Sequence, residues 1–469
     1  MARDGLIMAG ILLLAAVLRI VGLNAPLWYD EILTLTTHVR LPWGQMMDSY
    51  SMNHHYLYSF QAKAAVDSLG EAAWTLRLPA MLFGLGGIAA TWALARMVAG
   101  STVAHVTAAL MALSFHHIWF SQNARGYTEL AFWCALGLIL FLRGLERPGP
   151  GVWLGFALTL ALAIFTHLTG AFFFFALGLV WLGLLSVRRD RAIALWPLLG
   201  FVLGLAVTLA LYAPVLDSLM GTVGGVQEGN TIDAVPQYRN PLWTVYEAVR
   251  TALGAGGALN VAVAAAVIAL AGIGALTQPR PAPLLGLVVL VHIVVTMLLL
   301  KAIGMRIWPR FFFLDIGFLL ILIVLGVQRA AGWIGGRRAG ALFALVVAGM
   351  LVISAGMAAR NYRFPKQNLE GAIAVAQQAA RPGERTYAVG HTGTVYETYF
   401  DTGWSRIMTD DDYRAAIALP GPVTLVVGFP GRSFNAIPAL GAARADGTLT
   451  ELRWLPGTLG DGGVVVLQR

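Results

Sequence analysis

Eleven apolar runs constrain this chain more than any other feature. They cover residues 6–23, 78–98, 102–118, 128–143, 151–166, 169–187, 193–214, 255–276, 284–303, 311–328 and 339–358. A helix rises about 1.5 Å per residue, so about 20 apolar residues cross roughly 30 Å of hydrocarbon. In that medium each backbone polar group must be satisfied within its own segment, which favours helices. The stretch 151–187 is too long for one span, and its polar centre Thr166-His167-Leu168-Thr169-Gly170 predicts a tight turn between two. Only 12% of the residues are charged and 58% are hydrophobic, whereas soluble domains carry about 25% charged residues. The expected fold class is therefore a polytopic α-helical membrane protein.

The basic residues set an orientation. With the N-terminus in the cytoplasm, the short inner loops hold Arg96, then Arg143 and Arg147, then Arg188, Arg189 and Arg191, then Arg280, and then Arg329, Arg337 and Arg338. The longer outer segments hold Asp30, Glu31, Asp48, Asp67, Glu71, Asp217, Glu228 and Asp233. This distribution obeys the positive-inside rule, and an odd number of spans leaves the C-terminus outside. The N-terminal run lacks an A-x-A cleavage site and reads as an uncleaved first span. A net charge of +8, dispersed among short loops, argues against a nucleic-acid partner. The single cysteine, Cys134, can form no intramolecular disulfide.

Residues 1–358 read as one transmembrane domain. Within it, segment 24–77 is the first outer loop. Trp43, Met46, Met47 and Tyr50 are spaced along one helical face there, and Tyr56 to Ala65 follow as a second candidate helix. Both are expected to lie at the membrane interface with their apolar sides down. The Gly-, Asn- and Pro-rich segment 215–250 reads as a loop able to close over a site. From about Arg360 the composition changes. Residues 366–380 look helical, and Thr386 to Val389, Val423 to Val427 and Gly463 to Leu467 read as strands. Residues 359–469 are thus expected to form a small extracytoplasmic α/β domain. Its Asp410-Asp411-Asp412 triple cannot share one helical or strand face, which argues against a metal role.

Candidate chemistry gathers on the outer side. Asp30 and Glu31 follow the first span through Pro26, Trp28 and Tyr29. Two carboxylates cannot rest in hydrocarbon, so they should stand just outside it. Asn53-His54-His55-Tyr56-Leu57-Tyr58 lies in the same outer loop, and Ser121-Gln122-Asn123-Ala124-Arg125-Gly126-Tyr127 joins two later spans. Lys301, Arg306 and Arg310 stand outside against the orientation rule, and a lipid-borne phosphate would account for them. Arg19 reads as a structural cation pairing with a carboxylate inside the bundle. Carboxylates and cations on one membrane face suit sugar transfer from a lipid phosphate. The carboxylate takes the proton of an incoming hydroxyl, and the cations hold the departing phosphate. Attack opposite the leaving group inverts the anomeric centre.

These residues also resemble a family. Leu18-Arg19-Ile20 with Leu27-Trp28-Tyr29-Asp30-Glu31 is similar to the start of bacterial GT-C superfamily membrane glycosyltransferases, relatives of protein mannosyltransferases and of the lipid A aminoarabinose transferase. Asn53 to Tyr58 resembles their His-Pro-Pro-Leu-Tyr segment, with both prolines absent. Leu76-Arg77-Leu78-Pro79 resembles the element that opens their second span. Phe120 to Tyr127 resembles their Ser-Gln-Glu-Ala-Arg-x-Tyr loop with Asn123 in place of Glu, and Pro309-Arg310-Phe311 resembles the Arg-Tyr start of a late span. The resemblance runs from residue 18 to about 328. It implies that the about eleven transmembrane helices read from the apolar runs form a GT-C fold in the cytoplasmic membrane, with a polyprenyl-phosphate-linked sugar as donor. It also implies Asp30 as base, with Arg310, Lys301 and Arg125 meeting the donor phosphate.

The candidate site is therefore Asp30 and Glu31 for catalysis, with His54, His55, Arg125, Tyr127, Lys301, Arg306 and Arg310 for donor and substrate. The acceptor is a lipid, a glycan or a protein. No cofactor is compelled. A divalent metal stays open, with Glu31 and His55 as its candidate ligands, beside Asp30 and His54. An outer-face glycan ligase or polymerase would share the lipid donor, but would concentrate its chemistry in a late outer loop. A transporter would need ionisable groups at mid-membrane, where His292 is the clear candidate and reads as hydrogen-bonded core.

Overall fold

The computed structural model describes residues 2–187, 191–228, 258–277 and 282–469, together with 240, 241, 243, 244, 246 and 247. Arg188, Arg189, Arg280 and, within the segment 215–250, residues 229–239, 242, 245 and 248–250 lie outside the described residues, while the start of that segment, Leu216–Glu228, is helix instead of loop. The chain divides into two compact units. Residues 2–23, 42–227 and the described part of 240–359 form the first, and Asn24–Leu41 and Arg360–Arg469 belong to the second.

The first unit is helical. It runs through α1 (Ala2–Ile20), α3 (Tyr56–Leu69), α4 (Ala73–Ala99), α5 (Ser101–Leu113), α6 (Phe115–Ser121), α7 (Tyr127–Glu146), α8 (Pro150–Thr166), α9 (Gly170–Val187), α10 (Arg191–Tyr212) and α11 (Leu216–Glu228). It continues with α12 (Ala258–Leu276), α13 (Ala282–Ala302), α14 (Ile316–Gly335) and α15 (Ala339–Arg363), whose last residues enter the second unit; α2 (Tyr29–Thr34) belongs wholly to the second unit. Each of the eleven apolar runs lies on helix or its immediate turns wherever it is described. Among the described residues six helical stretches are long and apolar enough to cross a membrane. They become seven when α5 and α6, bent by 62°, are taken as one broken span. The number is below eleven for physical reasons. Pro309–Arg363 is one continuous stretch, α8 and the described apolar part of α12 are short, and α1 carries Arg3, Asp4 and Arg19.

Close packing in this bundle depends on glycine at a few helix contacts. A Cβ on Gly274 of α12 would overlap the Leu322 carbonyl of α14, and one on Gly326 would overlap the Leu270 carbonyl of α12. Small residues let helix backbones meet where lipid offers no hydrophobic drive. Arg19 is fully buried and donates to the carbonyls of Ala15, Ala112 and Met111 at 3.0–3.2 Å and to Ser121 Oγ at 3.1 Å. It also lies 2.8 Å from His117 Nδ1, so it ties α1 to the broken α5–α6 pair. His292 is not a lone ionisable group: its Nδ1 lies 3.0 Å from both carboxylate oxygens of the equally buried Asp315.

The two interfacial helices expected in the first outer loop are half present. Tyr56 to Ala65 lie on α3, but Trp43–Gln45 make only a single 3₁₀ turn. Pro42 and Gly44 disfavour a longer helix there. Met46 and Tyr50 are buried instead of facing lipid, and Trp43 stacks on Phe60 while donating to Asp67 at 2.9 Å.

The second unit is built on a five-stranded sheet in the order β2-β1-β3-β5-β4. Its strands are β1 (Arg385–Val389), β2 (Ser405–Ile407), β3 (Val423–Gly428), β4 (Thr450–Leu455) and β5 (Val464–Gln468). β1 runs parallel to β2 and β3, and β5 is antiparallel to both β3 and β4. β3 is buried along its whole length, as a central strand covered on both faces must be. Around the sheet lie α16 (Leu369–Gln378), α17 (Gly393–Thr398), α18 (Asp410–Ala418), α19 (Pro430–Ala436) and α20 (Pro438–Ala445). The Asp410-Asp411-Asp412 triple forms the first turn of α18. Asp412 closes a capping box with Thr409, and Asp410 accepts from Ala439 N–H at 3.0 Å. These acids serve helix ends.

Candidate functional site

In the first unit, three loops distant in sequence converge on a pair of histidines. His55 is the N-cap residue of α3, and its Nδ1 accepts the Gly126 N–H at 3.1 Å. That bond fixes the tautomer: a neutral His55 carries its proton on Nε2. The Nε2 atom is buried and has no hydrogen-bond partner among the described residues. The His167 ring stands 4.5 Å from that of His55, centroid to centroid, and its own Nδ1 accepts the Thr169 N–H at 3.2 Å. Tyr127 closes the group, with its ring 5.1 Å from His55 and 5.5 Å from His167.

Two guanidinium groups surround these rings. Arg125 is buried and donates to the Asn53 carbonyl at 3.0 Å and to the Asn53 side-chain oxygen, which ties the loop after α6 to the loop before α3. Arg310 is held between the Trp308 and Phe311 rings, 5.3 and 6.0 Å from its guanidinium carbon. Phe311 in turn faces His167 at 6.1 Å. Burial, then Arg125, His167, His54 and Arg310, hold His55 well below the usual histidine range. Burial with Arg125 and Arg310 pushes His167 down to about 3. Both rings are therefore neutral N–H donors in a positive field.

Gly126 makes this convergence sterically possible. A Cβ there would lie 2.6 Å from Thr166 Cγ2, 3.1 Å from His55 Nδ1 and 3.2 Å from Tyr58 Cβ. The turn at residues 167–169, between α8 and α9, is what brings His167 in. The sequence shows that turn, but not that its histidine joins the site. The available signal is the pentapeptide Thr166-His167-Leu168-Thr169-Gly170 inside the largely apolar stretch 151–187.

The remaining candidates take different places. His54 is buried with its ring 3.9 Å from that of Tyr56. Lys301 is exposed at the end of α13, and Arg306 is half-buried in the turn that follows. Of the four cations, Arg125 and Arg310 are the two whose charge reaches both His55 and His167.

The acids lie in the second unit. Asp30 and Glu31 occupy the first turn of α2, with Asp30 half-buried and Glu31 fully buried. The Glu31 carboxylate accepts the Trp28 N–H at 3.3 Å, so it caps its own helix. Among the described residues no group of three or more His, Cys, Asp and Glu side chains is placed to hold a metal ion.

Residues 54–216 match the family model described as dolichyl-phosphate-mannose-protein mannosyltransferase. The matched segment contains His54, His55, Arg125, Tyr127 and His167. Among solved structures, the apo form of ArnT from Cupriavidus metallidurans aligns with 100% of this chain and 98% of its own, at TM-score 0.57 and 15% identity. The chain carries the ArnT fold. The same protein bound to undecaprenyl phosphate aligns with TM-score 0.54 and 15% identity, covering 98% of this chain and 97% of that one. The Archaeoglobus fulgidus oligosaccharyltransferase in complex with Zn and sulfate gives TM-score 0.54 at 13% identity, over 89% of this chain and 68% of the other. No curated protein matches the chain by sequence. The chain is thus a multi-span membrane protein of that fold, with a small C-terminal sheet domain.

Proposed function

We propose that this protein transfers a sugar, with inversion, from a polyprenyl-phosphate-linked donor to a lipid, glycan or protein acceptor at the outer face of the cytoplasmic membrane. The observation that carries the reading is the buried, unpartnered Nε2–H of His55 in the field of Arg125 and Arg310. A buried donor without an acceptor costs roughly 1–3 kcal/mol unless something supplies one. A phosphate oxygen does so and is also attracted by both guanidinium groups. The solved relative that holds undecaprenyl phosphate shares the fold, which supports the same class of lipid for this chain.

The chemistry balances without a cofactor. An acceptor hydroxyl attacks the anomeric carbon, and its proton passes to the Asp30 carboxylate. The bond between that carbon and the phosphate oxygen breaks, and the polyprenyl phosphate leaves with the electron pair. Arg125, Arg310 and the histidine N–H groups stabilise the charge that builds on the phosphate. Glu31 holds the start of α2 in shape. The loop charges support a cytoplasmic N-terminus and an extracytoplasmic domain from residue 359 onward.

The test is purified protein in lipid nanodiscs given a panel of polyprenyl-phosphate sugars. Release of polyprenyl phosphate from one of them, lost in His55→Ala and in Asp30→Asn, is the expected result. Turnover that survives both substitutions would overturn the assignment.

A further inference from the structure

The acidic segment is seated on the C-terminal α/β domain through an unusual turn. β1 and β3 are parallel neighbours, with Val389 paired to Val427, so their C-terminal ends lie side by side. From β3 the chain passes directly into α19 through Gly428 and Phe429. Phe429 is left-handed, with φ 47° and ψ 61°. Asp401 is the other non-glycine residue with positive φ among the described residues. A bulky side chain persists in that region only where its surroundings over-determine it.

Those surroundings are visible. Asp461 accepts the N–H groups of Gly431 and Arg432 at 2.8 and 3.2 Å, and Ser433 Oγ donates to the Gly428 carbonyl at 2.7 Å. A Cβ on Gly428 would overlap the Thr392 side chain, so the turns after β1 and β3 are nested. The Arg432 guanidinium lies 5.0 Å from the Phe429 ring centre. The outcome is a fixed aromatic edge: Phe429 meets Tyr29 at 5.4 Å and 88°. Tyr29 is gripped a second time where its N–H donates to Oε1 of the buried Gln367, at 3.3 Å. Burial and the Asp30 charge raise the Tyr29 phenol, while Arg406 and Arg432 act against them, so both arginines share its surroundings. Farther along the segment, Arg40 lies over the Tyr399 ring at 5.8 Å.

Ring and backbone of Tyr29 are thus both fixed, and Asp30 is the next residue. We propose that the C-terminal domain sets the position of the candidate base, with Phe429 and Gln367 acting as positioning residues through Tyr29. This rests on the reading of Asp30 as base. It gives the small domain a role in transfer, and it accounts for the left-handed Phe429, whose relaxation would release the Tyr29 ring.

The experiment uses the full-length protein in nanodiscs, with Phe429→Leu, which keeps bulk without the aromatic edge, and Gln367→Ala. Amide exchange is followed over residues 27–34 and, as control, over β3. Both variants should raise exchange in 27–34 at least tenfold while β3 stays protected. Both should lower kcat about tenfold with polyprenyl-phosphate affinity changed less than twofold. Loosened exchange with unchanged kcat overturns the positioning role alone, as does unchanged exchange in both variants. Full turnover in Asp30→Asn removes the base and the positioning role together.

Discussion

Gly126→Ala probes the convergence of loops directly. The added methyl would stand 2.6 Å from Thr166 Cγ2 and 3.1 Å from His55 Nδ1. Thr166 is fully buried, and its hydroxyl donates to the Leu162 carbonyl at 2.8 Å, so the side chain cannot swing away without losing that bond. Overpacking of this kind costs about 1–3 kcal/mol. Displacing the Gly126 N–H from His55 adds about 1 kcal/mol. The expected destabilisation is therefore roughly 2–4 kcal/mol, read as unfolding free energy in mixed detergent. Polyprenyl-phosphate affinity should fall with it, because the His55 tautomer is no longer held. Thr166→Ser removes the methyl that clashes, so the double variant should recover at least about 1 kcal/mol as a coupling energy. A neutral Gly126→Ala, or a loss that Thr166→Ser leaves untouched, would refute the described packing.

Arg310→Ala should weaken polyprenyl-phosphate binding by about 2 kcal/mol, near 30-fold, in a titration followed by tryptophan fluorescence; unchanged affinity would return Arg310 to a packing role. Stability should also depend on acid. His55 and His167 are held neutral in the folded protein, mainly by burial, whereas in the unfolded chain they take up protons below about pH 6.5. Their contribution is complete above that pH and falls as pH drops towards the folded values, by at most roughly 1.4 kcal/mol per pH unit for each ring. His167→Gln should flatten the melting profile between pH 6 and 4, and an unchanged slope would contradict the neutral assignment. Asp315→Ala should cost about 3–5 kcal/mol by leaving His292 alone in the bundle, and Asp315→Leu with His292→Phe should recover most of it; equal losses in the two proteins would show that the pair is not the cause.

The bundle was legible because hydrocarbon leaves the backbone few options. The runs from 6 to 358 lie on helix, and the polar pentapeptide at 166–170 marks a real turn. The three β-rich stretches of the tail coincide with β1, β3 and β5; β3 and nearly all of β5 are buried and hence apolar, and β1 is buried at its Ala388-Val389 end. β2 and β4 escaped notice because one has three residues and the other is largely exposed at the sheet edge, so neither has a strong apolar signature. Contacts far apart in sequence were not readable. Nothing in Asn24–Leu41 announces its grouping with a domain more than 300 residues later, because that depends on the shape of the Phe429 turn. His167 was missed for a similar reason: its nearest ring, His55, is 112 residues away. The sequence leaves Glu31 open between a positioning, a metal-binding and a structural role, and helix geometry turns it inward as a cap.

The central claim is that one carboxylate, two arginines and a pair of neutral histidines act on a lipid-linked phosphate. The most direct measurement compares wild type with Asp30→Asn on a polyprenyl-phosphate sugar, scoring sugar transfer and lipid binding in the same preparation. The account expects transfer to fall to background in Asp30→Asn while donor affinity stays within twofold. Transfer at the wild-type rate in that variant would contradict it.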